Sequence, residues 1–116
     1  MSKKKAYLST TTGNGNAVAK QFDVYLSRNG TYVIVLQSDA LDSLATRVVA
    51  RLLPEDWNEP PFKYLSPEID IGDLRLRLQA TELATLSLRE IGTRVGSAAH
   101  MRDDIIRATD MLLTGY

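Results

Sequence analysis

The chain has 116 residues, enough for one domain with one core, and its 14 basic and 14 acidic side chains cancel to a net charge of zero. That balance argues against general nucleic-acid binding through phosphate neutralisation. With no cysteine and one histidine, His100, the composition excludes disulfides, thiolate zinc sites, a cysteine nucleophile and a multi-histidine metal site.

No apolar run approaches bilayer-spanning length, and no hydrophobic stretch follows the basic residues 1–5, so neither a membrane span nor a signal peptide is expected. The composition reads as a soluble cytoplasmic protein that needs no cofactor. Residues 1–20 stand apart. Lys3, Lys4 and Lys5 precede the small polar run Ser9-Thr10-Thr11-Thr12-Gly13-Asn14-Gly15-Asn16, which has too little apolar surface to offset its ordering. A flexible leader is expected there, with a transient strand at residues 6–8 and solvated lysines.

From Gln21 the pattern is strand-like: Phe22, Val24 and Leu26 alternate with Asp23, Tyr25 and Ser27. Asn29-Gly30 predicts a type I′ hairpin turn that returns residues 31–36 antiparallel. After the polar corner Gln37-Ser38-Asp39, residues 46–53 form a third strand. Pro54, Pro60, Pro61 and Pro67 then punctuate a loop-rich stretch around Trp57 and Phe62. Ile69 and Ile71 lead through Gly72-Asp73, with glycine first as a type II′ turn requires, into Leu74-Arg75-Leu76-Arg77-Leu78. That strand buries three leucines and exposes two arginines on a solvated face. A further short strand is expected at residues 86–91.

The last element is a helix that starts between residues 97 and 102, with Asp103 and Asp104 complementing its N-terminal dipole. Met101, Ile105, Ala108 and Leu112 form its buried stripe, and Ile106 and Leu113 widen the apolar face. One helix against five or more antiparallel strands is an α+β or strongly bent barrel architecture. Catalytic motifs are thin. Gly13-Asn14-Gly15 lacks the glycine and lysine of a phosphate loop, GxSxG and HExxH patterns are absent, and His100 is a lone imidazole.

The helix reaches Leu113 and the chain closes with Thr114-Gly115-Tyr116. Helix-end carbonyls are unpaired acceptors carrying partial negative charge; the α-carboxylate of Tyr116 and the side chain of Asp110 add to it, and no cation follows Arg107. Such an anionic prong suits a partner that offers arginine. The alternative is a glycine-capped helix that simply stops.

Three stretches occur in order and at compatible spacing: Gln21-Phe22-Asp23-Val24-Tyr25, Val35-Leu36-Gln37-Ser38-Asp39-Ala40-Leu41-Asp42, and Ile91-Gly92 through Leu112. On these, the chain from Gln21 to Tyr116 resembles the CcdB family, bacterial toxins of toxin–antitoxin pairs that poison DNA gyrase; the leader lies outside the likeness. The resemblance implies an α+β fold of CcdB/MazF type, a strongly bent antiparallel sheet (an SH3-like barrel) with a small three-stranded wing and one C-terminal helix, assembled as a homodimer. It implies a protein inhibitor, not an enzyme, whose helix tip enters the DNA gyrase A subunit while gyrase is attached to cut DNA. A CcdA-like antitoxin is the implied counterpart, and neither a membrane nor a specific nucleic-acid sequence is an implied partner.

Carried over by position, the tip is Thr114, Gly115 and Tyr116, supported by Asp110 and Leu113. The corner Ser38, Ala40 and Leu41, with Gln21, Phe22 and Tyr25, falls at positions tied to activity. Some family members have tryptophan at the position of Thr114, where the ring stacks on a gyrase arginine; threonine cannot stack. Tyr116 replaces the usual terminal isoleucine. The family's proline after the third strand is replaced around Arg51, and a Val-Pro near Leu86-Ser87 is absent. The related MazF ribonucleases share this fold, so RNA cleavage using Arg47, Arg75 and Arg77 stays open, as does a non-toxic CcdB-like remnant with another binding role.

Overall fold

The computed structural model describes residues 18–54 and 64–115. Strands β1 (Asp23–Leu26) and β2 (Tyr32–Val35) pair antiparallel with Val24 opposite Ile34. Their turn is not type I′. Gly30 is left-handed (φ +87°) but Asn29 is not; the Gly30 N–H bonds to the Ser27 carbonyl at 2.9 Å and the Ser27 N–H to the Thr31 carbonyl at 2.9 Å. Arg28 and Asn29 therefore sit at the centre of the turn and Gly30 supplies the bulge residue of a longer loop. The Asn29 side chain, accepting from the Ser27 hydroxyl and the Thr31 N–H, favours this form over the tighter one.

Beyond a 3-10 turn at Asp39–Leu41 come β3 (Thr46–Pro54), β4 (Glu68–Ile71), β5 (Leu74–Ser87) and β6 (Thr93–Ser97). A second 3-10 turn (Ala99–Met101) leads into helix α1 (Arg102–Thr114). The strands of the described residues form one antiparallel sheet in the order β4-β5-β3-β2-β1-β6. The two edge strands approach each other: the Ile71 side chain packs onto the bare backbone of Gly96, where a Cβ would lie 2.6 Å from it. The sheet is thereby nearly closed into a barrel.

The β4–β5 turn matches its expectation, with Gly72 at φ +59°. The alternating residues 74–78, however, are only the start of a 14-residue strand. Between Ala50, opposite Leu83, and Arg51, opposite Gln79, β5 inserts Ala80, Thr81 and Glu82. This bulge bends the sheet and breaks the two-residue period that would have revealed the strand. Residues 86–91 are not a separate strand: Leu86 and Ser87 end β5, and the Glu90 carboxylate closes the following turn by accepting the Ser87 N–H at 2.8 Å. Strand β6 carries no clear alternation and is held by pairing to β1.

Both faces of the sheet are buried. Val24, Ile34, Leu52, Leu76 and Leu78 fill the barrel interior under Ile105 and Ala108 of the helix. Tyr25, Val33, Val35 and Val49 form a smaller cluster on the outer face with Ala19 and Ile91. Arg47 fastens that outer cluster. It is 3% exposed, and its guanidinium spends all five N–H donors on backbone carbonyls. Nε donates to Ala19 (3.1 Å), Nη1 to Leu44 (2.7 Å) and Thr46 (2.9 Å), and Nη2 to Val18 (3.3 Å) and Asp42 (3.1 Å). Burial pulls its pKa down, against the opposing pull of Asp42 and Asp39.

Val18 and Ala19, which composition places with the leader, take part in this packing. Ala19 is buried with φ +58°, and its N–H donates to the Tyr25 hydroxyl at 3.0 Å. The rest of the leader, with the strand expected at residues 6–8, lies outside the described residues.

Lysine offers three donors from one point and cannot span this ring of carbonyls. Arg47→Lys should cost about 3 kcal/mol in urea unfolding, and wild-type stability would show that the carbonyl cluster contributes nothing. Burial raises the Tyr25 pKa above its ordinary 10.0. A folded pKa above the unfolded one gives stability that is complete below about pH 10 and is lost as pH rises through the folded value. Tyr25→Phe should accordingly flatten the alkaline decline of the unfolding midpoint.

A candidate binding groove beside the helix end

Helix α1 has no side-chain cap at Met101, but Asp103 and Asp104 occupy its first turn. Its stripe is buried only in the first half. Ile105 and Ala108 are fully enclosed, Ile106 and Leu112 are half-buried, and Leu113 is 72% exposed. Where the packing runs out, an apolar groove of about 320 Å³ opens between the helix, the corner after β2, and the bulged part of the sheet. Phe22, Ser38, Leu41, Val48, Leu83 and Leu113 are among its walls.

The corner is stiffened by hydrogen bonds. The Ser38 hydroxyl accepts from the Ala40 N–H at 3.1 Å and caps the 3-10 turn. Asp39 accepts from the Gln21 N–H at 2.8 Å, while the Gln21 amide donates to the Leu36 carbonyl at 3.0 Å. Buried Gln37 donates to the Leu41 and Thr46 carbonyls and accepts from the Val48 N–H. Phe22 lies in the left-handed region at φ +68°, which costs an aromatic residue about 1–3 kcal/mol. Bonds from its N–H to the Val35 carbonyl (2.7 Å) and from the Ala98 N–H to its carbonyl (2.8 Å) hold it there, with the Arg102 guanidinium 5.7 Å from its ring centre.

At the helix end, Gly115 takes φ +81° and its N–H bonds to the Met111 carbonyl at 3.1 Å, as a left-handed C-terminal cap does. The Thr114 hydroxyl donates to the Asp110 carbonyl at 2.8 Å. Asp110, Thr114 and Gly115 are exposed, and the last turn holds no base. Tyr116 lies outside the described residues.

Of the residues singled out from the sequence, Phe22, Ser38, Leu41 and Leu113 line this one groove, Gln21 and Ala40 brace its corner, and Asp110, Thr114 and Gly115 end its helix. Tyr25 is on the opposite face, in the outer cluster. Val48 and Leu83 were missed. Leu83 is out of phase with Leu74, Leu76 and Leu78, and only the bulge sets it opposite buried Ala50.

The arginines considered for RNA cleavage do not converge. Arg47 is enclosed by carbonyls, and Arg75 is exposed 4.0 Å from Asp70. Arg77 lies opposite Leu53, six residues along β3 from Arg47, or about 20 Å at ~3.3 Å per residue. His100 is exposed in the second 3-10 turn, and no cluster of metal-ligating side chains occurs among the described residues. No helix among them is long and apolar enough to cross a membrane.

The division of the helix predicts a contrast. Ile105→Ala should lower unfolding stability by about 3 kcal/mol, whereas Leu113→Ser should change it by less than about 0.5 kcal/mol. Equal losses in denaturant titration would mean that the helix end is packed rather than presented.

Solved structures with the same fold include an endoribonuclease from a mycobacterial species (TM-score 0.71, 17% identity, 86% of this chain and 95% of that one). Another is an endoribonuclease in complex with its cognate antitoxin from a mycobacterial species (TM-score 0.69, 19% identity, 81% and 93%). A third is the MazE–MazF complex from Deinococcus radiodurans (TM-score 0.65, 14% identity, 83% and 96%). At these identities the likeness is one of fold. The family match is in sequence: the CcdB protein model covers residues 21–115, and the chain belongs to the CcdB family.

Proposed function

We propose that this CcdB-family protein, the toxin of a type II toxin–antitoxin system, poisons DNA gyrase by inserting its helix end into the A subunit and holding the enzyme on cleaved DNA. The observation that carries this reading is the presented end of α1, where exposed Leu113, Thr114 and Gly115 stand beside an apolar groove on a hydrogen-bonded corner. A helical tip is already rigid, so its insertion costs little ordering entropy. Its free carbonyls and the Asp110 carboxylate are acceptors for arginine N–H groups, while the groove leucines give up apolar surface to a partner. A homodimer would repeat the tip about a two-fold axis and so address two A subunits together. The toxin performs no chemistry in this scheme; it stabilises one state of gyrase by binding that state best. A CcdA-like antitoxin counters it, a partnership in keeping with the antitoxin complexes among the structural neighbours.

Deleting residues 115 and 116 tests the proposal. The truncated protein should stay folded, losing no more than about 1 kcal/mol with the Gly115 cap bond, but neither arrest bacterial growth nor trap double-strand breaks with purified gyrase. Full toxicity without those residues would refute the tip mechanism. The endoribonuclease neighbours make RNA the control substrate. Specific fragments from single-stranded RNA, with no trapped breaks, would assign the protein to the nuclease class instead. No growth effect from a normally folded protein would point to a non-toxic remnant.

A further inference from the structure

Away from the groove, a second cleft of about 400 Å³ lies between the β1–β2 turn and the turn that joins β5 to β6. Arg28 on one turn and Arg89 on the other line it, together with Ser27 and Thr93. The turns are tied to each other. The Arg28 N–H bonds to the Glu90 carbonyl at 3.2 Å, and Gly92 (φ +89°) packs so closely that a Cβ there would lie 2.0 Å from the Leu26 carbonyl oxygen. Two side chains far apart in the sequence are thus held as neighbours by backbone contacts.

Their electrostatic situation sets them apart. Arg47 is ringed by carbonyls, Arg51 pairs with Glu82, Arg75 with Asp70 and Arg94 with Asp23; Arg102 and Arg107 lie over aromatic rings, and Arg77 also has a partner. Among the described residues, Arg28 and Arg89 are the arginines whose side chains have none. The acid beside them, Glu90, is held in its own turn, where its carboxylate accepts the Ser87 N–H at 2.8 Å; that bond and the Ser87 hydroxyl lower its pKa and keep it ionised, but it pairs with neither arginine. The Asn29 side-chain oxygen Oδ1 is likewise taken, by the Ser27 hydroxyl and the Thr31 N–H. What remains is a polar cleft with two forked donors that have no side-chain partner and the Thr93 hydroxyl, a set that matches the oxygens of a phosphate group.

We propose that this cleft is a phosphate-binding site in which Arg28 and Arg89 grip one phosphate from two sides, the ligand being either free phosphate or a phosphate of a nucleotide chain. It is separate from the groove and does not depend on what the helix end binds.

The test follows the arginine Nε–H signals of the full-length protein in ¹H–¹⁵N spectra during titration with inorganic phosphate at constant ionic strength, chloride making up the balance. The Arg28 and Arg89 signals should move together and saturate, while those of Arg102 and Arg107 should not. Arg28→Gln and Arg89→Gln should each weaken the apparent affinity about tenfold and leave the unfolding midpoint unchanged. A second arm uses a short single-stranded RNA. Tighter binding than phosphate, with log K falling against log salt at a slope of about −0.7 as one neutralised phosphate requires, identifies a nucleic-acid phosphate; tighter binding of inorganic phosphate identifies the free ion. Non-saturating shifts, equal shifts at all exposed arginines, or undiminished affinity in both glutamine variants would overturn the site.

Discussion

The three residues that β5 inserts opposite the Ala50–Arg51 step set the shape of the whole domain. A regular β3–β5 ladder of this length would run on as a gently twisted ribbon. The bulge bends it, carries the β4–β5 edge round towards β6, and lets the bare backbone of Gly96 meet Ile71 across the seam. It also resets which side chains face inward, so Leu83 turns towards the helix instead of away from it. The groove beside α1 exists because the bent sheet supports only the first half of that helix.

A closed, two-faced sheet needs fastening on the outside as well as filling within. The inner core is ordinary aliphatic packing under one helix. The outer cluster is small, and its cover, Val18 and Ala19 with residues 42–44, is irregular chain whose carbonyls at 18, 19, 42 and 44 have no ladder to join. Arg47 supplies those carbonyls with donors at a single point, a role that a planar, five-donor cation fills and a hydrophobic residue does not. A charged side chain near the start of a strand thus reads as a catalytic candidate on paper and proves to be a structural clamp.

Legibility in the sequence followed periodicity. The first three strands, the Gly72 hairpin and the helix all carry their pattern locally, and all were found where the pattern put them. The features that escaped depend on partners distant in the chain. Thr93–Ser97 is a strand because β1 lies beside it, the second half of β5 is hidden by the bulge, and the Asn29-Gly30 turn opens because its side chains bond across it. At the groove, the corner and helix end were visible through family resemblance, while Val48 and Leu83 needed the register of the bent sheet. Arg28 and Arg89 carry no pattern at all, since only the packing of Gly92 on Leu26 makes them neighbours.

A sheet that leaves its helix half supported presents that helix end, and the central claim is that this end with its groove is the surface that meets gyrase. The most direct measurement is a methyl footprint: leucine-labelled toxin titrated with the gyrase A subunit. The account predicts that the Leu41, Leu83 and Leu113 methyl signals broaden or shift with saturation, while Val33 and Val35 of the outer cluster, labelled in parallel, stay in place. Binding that leaves the three leucines untouched, or that moves the outer cluster instead, would contradict it.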